Sequence, residues 1–326
     1  MAVSHELEDK FMGLSEAVAK FVRDGCHIAL GGFTASRNPV AFAYEAIRQR
    51  KRGLHVYVHS HGVAMDLLVG AGCVKRLELA YGALGRFAPI CPRFRRMVEK
   101  GRLEVEDYTN YQMVLRFLAG MLNIPFIPAR TGLGSDIVVK EGFSPATRTE
   151  PKVAGRKLVV AEDPFNGGPV VLLPAIKPDV TIIHAQYVGN EGTVRIKGLR
   201  FADVEEALAA SKLIVTCERV VPEEELRKDP ELNCIPGFLV DAVVELRFGA
   251  HPTACYGFYD VDPGFLYYYY EVASSDEGFE SFLEEWVYCM EDHEGYLRKL
   301  GEERLRQLEA TSPYGFRLGL DRRRKR

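Results

Sequence analysis

Asp24-Gly25-Cys26-His27-Ile28-Ala29-Leu30-Gly31-Gly32-Phe33, running on to Asn38-Pro39, is the stretch from which the fold follows. Ile28, Ala29 and Leu30 make a short apolar run, the pattern of a buried strand. Gly31 and Gly32 come next and let the backbone turn sharply and approach a ligand. Asn38 and Pro39 suit an N-cap and a first helical position. Val40, Ala43, Tyr44 and Ile47 then recur at helical spacing. Arg50, Lys51 and Arg52 favour the negative end of that helix, and Gly53 can close it in the left-handed conformation. A strand, glycine turn and helix in this order can hold an anion or a thioester, because free backbone N–H groups face the ligand. The same pattern also serves as a plain βα turn. It is neither a P-loop nor a dinucleotide fingerprint, since no Gly-Lys-Ser/Thr follows and Gly-x-Gly-x-x-Gly is absent.

Outward from this stretch, strands alternate with helical segments. Residues 14–22 read as an amphipathic helix with Ser15 at its cap and Leu14, Val18, Phe21 and Val22 in one stripe. Residues 54–60 read as a strand with His55, Tyr57 and His59 on one face and His61 in line. Three histidines on a face can bind a metal, but no second ligand cluster accompanies them, so no metal is expected. A strand over 75–80 leads into the glycine-softened turn Tyr81–Gly85, at the end of a strand where open α/β sheets place ligands. A helix over 92–100 and a strand over 103–107 follow. Thr109 or Asn110 then caps a helix expected to bury Val114, Phe117, Leu118, Met121 and Leu122. The loop Arg130-Thr131-Gly132-Leu133-Gly134-Ser135 offers a cation and hydroxyls to a carboxylate, or is an exposed turn. Residues 161–175 read as a hairpin or crossover, and strands are expected over 179–186, 194–196, 213–217 and 239–246, with helices over 204–211 and 222–228. The run Tyr267–Tyr270 reads as an aromatic strand needing cover from a partner or from two C-terminal helices over 277–291 and 293–308. The expectation is an open, mostly parallel α/β sheet flanked by helices over 1–270, with a C-terminal helical extension, 271–326, packed on it.

A chain of 326 residues can bury a large core. A net charge of −3 argues against a field that gathers nucleic acid. The basic run 322–326 reads as a solvated end. Seven cysteines without a C-x-x-C pair suit reduced thiols in the cytoplasm. Charged residues throughout 1–23 argue against a signal peptide, and no apolar run reaches the ~18–20 residues of a membrane span.

Asp-Gly, two free positions, three apolar residues, Gly-Gly-Phe and a later Pro resemble the signature of the family I CoA-transferases. Arg37 stands where that signature has a glycine, a departure shared by the alpha subunits of glutaconate CoA-transferases. Further tracts resemble the same group in order: Pro92-Arg93-Phe94-Arg95-Arg96, Glu106-Asp107-Tyr108, 122–128, 182–186, 192–196, Gly249-Ala250-His251-Pro252 and Glu285-Trp286-Val287. The resemblance implies transfer of CoA between an acyl-CoA and a free, dicarboxylic acid such as glutaconate. It also implies an alpha subunit paired with a similarly folded beta subunit in a hetero-oligomer. CoA is then a substrate, with no permanently bound cofactor. The family's nucleophile is a glutamate in a Ser/Ala-Glu-Asn-Gly context on the beta subunit. Glu141, Glu191, Glu277 and Glu294 each precede a glycine here, but none has that flanking, so no catalytic nucleophile is expected in this chain. The resemblance puts Gly31, Gly32 and Phe33 on the CoA or acyl side, and Tyr81 to Gly85 with the 130–135 loop beside the acid. Gly85 stands where glutaconate enzymes carry a serine for the distal carboxylate, which leaves Arg86 or Arg37 to replace it by a charge-assisted bond, or leaves both as plain surface residues. A ring-opening or thioester hydrolase of the same fold shares the Arg-x-Gly-Leu-Gly-Ser loop, and a non-catalytic pocket-shaping partner is a third reading.

Overall fold

The computed structural model describes residues 10–323. The first half runs α1 (Leu14–Phe21), β1 (His27–Leu30), α2 (Val40–Arg48), β2 (Leu54–His61), α3 (Val63–Gly70), β3 (Val74–Gly82), α4 (Pro92–Glu99), β4 (Glu104–Asp107) and α5 (Asn110–Met121). A small antiparallel sheet follows from β5 (Phe126–Ala129), β6 (Val159–Glu162) and β7 (Pro169–Pro174), in the order β5-β7-β6. The chain then returns through β8 (Val180–Gly189), β9 (Val194–Arg195), α6 (Asp203–Ala209), β10 (Lys212–Val221), α7 (Glu223–Arg227) and β11 (Ala242–Glu245). It ends in α8 (Pro263–Ala273), α9 (Asp276–Leu283), α10 (His293–Leu300) and α11 (Glu302–Leu308).

The main sheet has the order β11-β10-β8-β1-β2-β3-β4, all of these pairs parallel, with β9 antiparallel on β8. Winding runs outward from β1 to β4, then resumes on the other side of β1 with β8. The β1/β8 boundary is therefore the topological switch point, where open α/β sheets leave a crevice at their C-terminal edge. The glycine turn opens directly onto it.

Several expectations shift. The 161–175 segment is the β6–β7 hairpin. Asn38 does not cap α2 with its side chain; Pro39 is the N-cap, and Arg50, with φ +54°, takes the left-handed position directly after the helix, while Gly53 is left-handed as expected at φ +68°. Of the five residues expected to be buried on α5 only Phe117 is fully so; Val114, Leu118 and Met121 are half-buried. Gln112, Met113, Leu115, Arg116 and Phe117 are buried, while Leu122 is exposed, because Arg116 reaches into the sheet to pair with Glu78 at 2.6 Å. Tyr267–Tyr270 is helical, part of α8, which Asp262 caps and Pro263 opens. Tyr269 is buried and packs edge-on against Phe282, while Tyr270 stays exposed, so the C-terminal helices cover this run only in part. The boundary at 270 falls inside α8, and one hydrophobic cluster runs from Leu14 to Leu308. Of the basic tail, Arg322 pairs with Asp260, and 324–326 lie outside the described residues. Among the described residues no helix is long and apolar enough to cross a membrane.

Candidate active site

The C-terminal ends of β1, β2 and β3 meet in one row. Ala29 pairs with Tyr57, Ser60 with Tyr81 and His61 with Gly82, which brings Gly31, His59, Ser60 and Tyr81 to one edge. At Gly32 the backbone has φ +88°, and an added Cβ would sit 2.6 Å from the Arg37 carbonyl oxygen. At Gly31 a Cβ would sit 2.5 Å from Asp203 Oδ1. These glycines thus admit a carboxylate and a tight return of the chain.

The turn's donors are already engaged. Gly31 N–H donates to the Ile182 carbonyl at 2.9 Å, Phe33 N–H to Ser36 at 2.8 Å and Thr34 N–H to Ser60 at 3.0 Å. Gly32 N–H donates to Asp203 Oδ1 at 2.5 Å. The sequence suggested free N–H groups facing a ligand; the structure turns them inward. The Gly31 carbonyl accepts from His61 Nε2 at 3.0 Å while His61 Nδ1 accepts from Met65 N–H, and burial holds the His61 pKa down at about 4, a neutral imidazole. The turn is a rigid platform whose outward groups are side chains.

Arg37 is neither a substrate ligand nor a surface residue. It is 1% exposed, pairs with Asp203 at 2.5 Å and donates to the carbonyls of His184 (3.1 Å) and Leu199 (2.8 Å). With its guanidinium committed in this way, it does not serve as the acid's carboxylate partner. Phe201 lies 5.8 Å from its guanidinium and stacks on Phe33 with centroids 4.6 Å apart. Phe33 also meets His59 at 5.4 Å. His59 has a buried Nδ1 with no hydrogen-bond partner, and burial lowers its pKa. Glu206, one helical turn from Asp203, is buried with both carboxylate oxygens unpaired; burial, then the charges of Asp203 and Glu205, push its pKa well up.

Ser60 donates to Asn110 Oδ1 at 2.5 Å, fixing the start of α5 to this edge. Thr109 Oγ1 lies 3.3 Å from Thr131 Oγ1, and Gln112 Nε2 donates to the Thr131 carbonyl at 3.0 Å. The 130–135 loop is thereby drawn to the same rim. Gly132 and Gly134 both have positive φ, and Ser135 Oγ closes the loop on the Gly132 carbonyl at 2.6 Å. Arg130 points elsewhere, to Asp163 at 3.2 Å on the β6–β7 hairpin, with its side chain 68% exposed. Tyr81 and Arg86 are exposed at the end of β3, and Gly85 takes φ +58° between them. The expected His55–His59–His61 face splits up: His55 bonds Glu78 at 2.8 Å, well below the rim. His184, Glu218 and Cys255 are a buried group with metal-ligand atoms close together, but His184 is taken by Glu218 at 2.7 Å and Thr216 at 2.8 Å.

His59, Ser60, Asn110, Phe201 and Asp203 were not legible as site residues. Ser60 and His59 lie at a strand's C-terminal end, which is a usable signal; Phe201 and Asp203 are joined to the turn only by the fold.

The sequence profile of the family described as coenzyme A transferase matches residues 11–246. The A subunit of glutaconate CoA-transferase from Acidaminococcus fermentans is 41% identical over 318 residues, 97% of this chain and 99% of that protein. A crystal structure of glutaconate coenzyme A-transferase from the same organism superposes with a TM-score of 0.92 at 42% identity, over 95% of this chain and 98% of that one. The A subunit of 3-oxoadipate CoA-transferase from Pseudomonas knackmussii is 32% identical over 90% of this chain and 99% of its own.

Proposed function

Because this chain belongs to the coenzyme A transferase family, we propose that it is the alpha subunit of a two-subunit enzyme that moves CoA from an acyl-CoA to a free dicarboxylic acid such as glutaconate. The observation that carries this is the match, along almost the whole length of both chains and in fold, to the corresponding subunit of a glutaconate CoA-transferase. The dicarboxylate follows from the two relatives, whose named acids, glutaconate and 3-oxoadipate, each carry two carboxylates.

The covalent chemistry belongs to the partner. A glutamate oxygen supplied by the beta subunit opens it, attacking the thioester carbonyl carbon, expelling CoA thiolate and leaving an acyl–glutamyl anhydride. The thiolate then attacks the glutamyl carbonyl, which releases the first acid and leaves a glutamyl–CoA thioester. The second acid's carboxylate repeats the two steps in reverse. On this side of the cleft the carboxylates nearest the turn, Asp203 and Glu206, are buried behind it, one ion-paired and the other with its pKa pushed well up by burial. With the turn's N–H groups engaged, this chain offers the reacting carbonyl side chains instead: His59, Asn110 and Phe33. A site lined this way needs the partner's donors for the oxyanion.

Exposed Tyr81, Tyr111, Leu199 and Tyr256 ring this edge of the sheet, an apolar rim of the kind another chain covers. Free cysteines throughout are consistent with work in the cytoplasm. The test is transfer of CoA to a labelled dicarboxylate by the chain alone and with its beta subunit. The pair is expected to transfer CoA and the lone chain not. Release of free CoA to water by the pair, without acid-dependent exchange, would make it a hydrolase.

A further inference from the structure

We propose that Glu206 is a positioning residue for the transfer: it braces the free end of β2 and so holds the His59 ring at the reacting edge. This rests on the transferase reading and deepens it.

The ladder between β1 and β2 ends early. Its register is His27↔His55, Ile28↔Val56 and Ala29↔Tyr57, and β1 stops at Leu30 while β2 runs on to His61. His55 N–H donates toward β1, to the Cys26 carbonyl at 3.0 Å. Strand groups repeat every second residue, so the His59 N–H points to the same side, beyond the last paired residue. On that side stands α6, whose Asp203 and Glu206 are one turn apart on one face and both buried. Asp203 Oδ1 accepts from Gly32 N–H and so grips the turn after β1. Glu206 is the matching group for β2. The Thr181 hydroxyl donates to the Glu206 carbonyl at 2.8 Å, which fixes this part of α6 on β8.

Packing does not explain a carboxyl at this position. Glu206 is 1% exposed, and burying it with neither oxygen hydrogen-bonded costs stability that an apolar residue would not. Burial pushes its pKa up, as do the charges of Asp203 and Glu205 on its own helix; Arg37 behind the turn and the His59 backbone N–H from β2 oppose that rise. Arg37 is committed to Asp203, which leaves the His59 N–H as the donor for Glu206. Hydrogen bonds at a reacting edge are often long until substrate is bound. His59 needs such a hold: its ring is half-buried, meets Phe33 at 5.4 Å and has an Nδ1 with no partner, so the backbone at 59 sets where the ring points.

The experiment uses the complex with the beta subunit, carrying Glu206→Ala, Glu206→Gln, His59→Ala, or Glu206→Ala together with His59→Ala. Glu206→Ala should lower kcat by about ten- to hundred-fold and leave KM for the acyl-CoA within about two-fold of the parent. Glu206→Gln keeps an oxygen for the His59 N–H and should recover most of that loss. The double variant should be no slower than His59→Ala alone, because the brace acts through His59. Losses that add, or a Gln variant as slow as the Ala variant, overturn the proposal. A second readout needs neither activity nor the alanine variants to fold. With nitrogen-15 histidine in this chain, the His59 amide resonance is followed against pH in the parent complex and in Glu206→Gln. The part of its shift that the Gln variant removes reports Glu206, and it should fall above the ordinary carboxylate range. No difference between the two overturns the proposal. If the complex moves no CoA while the resonance behaves as expected, the transferase reading fails and the brace on His59 stands.

Discussion

Arg37 lies behind the glycine turn and holds it in shape. Its pairing with Asp203 places a carboxylate under Gly32 N–H, and its backbone carbonyl fills the space a Gly32 side chain would need. Arg37→Ala leaves Asp203 buried without its counter-charge, a loss on the order of 3–5 kcal/mol. Urea unfolding should show that loss, and whatever activity survives should weaken alike for dicarboxylates and monocarboxylates. Unchanged stability with a KM rise confined to dicarboxylates would return Arg37 to the substrate. Arg86 stands opposite in kind: it is exposed, and no carboxylate of the described residues pairs with it. Arg86→Ala should leave stability within about 0.5 kcal/mol of the parent. It should raise KM for a dicarboxylate by roughly ten-fold while a monocarboxylate's stays put; equal effects on both acids would reject that role. Gly31 and Gly32 were legible from sequence because their neighbours dictate a turn. The Asp203 contact was not, because 171 residues separate it from Gly32 and only the sheet order brings them together.

At the level of elements, β2, β3 and α5 are locked by one buried polar cluster. Glu78 on β3 takes His55 Nε2 at 2.8 Å from β2 and Arg116 at 2.6 Å from α5, and Arg116 lies 4.0 Å over the Tyr108 ring. Burial alone would push the Glu78 pKa up, but Arg116 and His55 outweigh it and hold the carboxyl at about 2. A carboxylate with a depressed folded pKa contributes stability above its unfolded value, here near 4.5, and loses it as pH falls toward 2. Glu78→Gln should therefore be less stable than the parent at neutral pH, with a gap that narrows from pH 4.5 to 2. Unfolding midpoints across that range measure it, and a constant gap would contradict the assignment. The strands of the main sheet were legible as apolar runs. Helix α3 was not, since Val63, Ala64, Met65, Leu67, Leu68 and Val69 are all buried and an all-round apolar helix has no stripe to read. The α8 tyrosines looked like a strand by residue type; the Asp262-Pro263 cap was the stronger signal. The α5 face was misjudged because its Gln112 and Arg116 are inward, and apolar spacing is blind to buried polar pairs.

Across the whole molecule, the C-terminal edge of the parallel sheet gathers a glycine platform at the switch point and an exposed apolar rim. The fold class and the family were legible because strand–turn–helix order and short motifs persist along the whole chain. Which groups face the cleft was not, since hydrogen bonds decide it and they join distant segments. The account's central claim is that this chain builds the bed for an acyl-thioester while the bond-forming carboxylate comes from the beta subunit. The most direct measurement is to mix the complex with acyl-CoA, cleave the activated glutamyl carbonyl with hydroxylamine, and map the modified residue by mass spectrometry. The account predicts one modified glutamate, on a peptide of the beta subunit, and none on this chain. A modified glutamate or aspartate on a peptide of this chain, with the partner unlabelled, would contradict it.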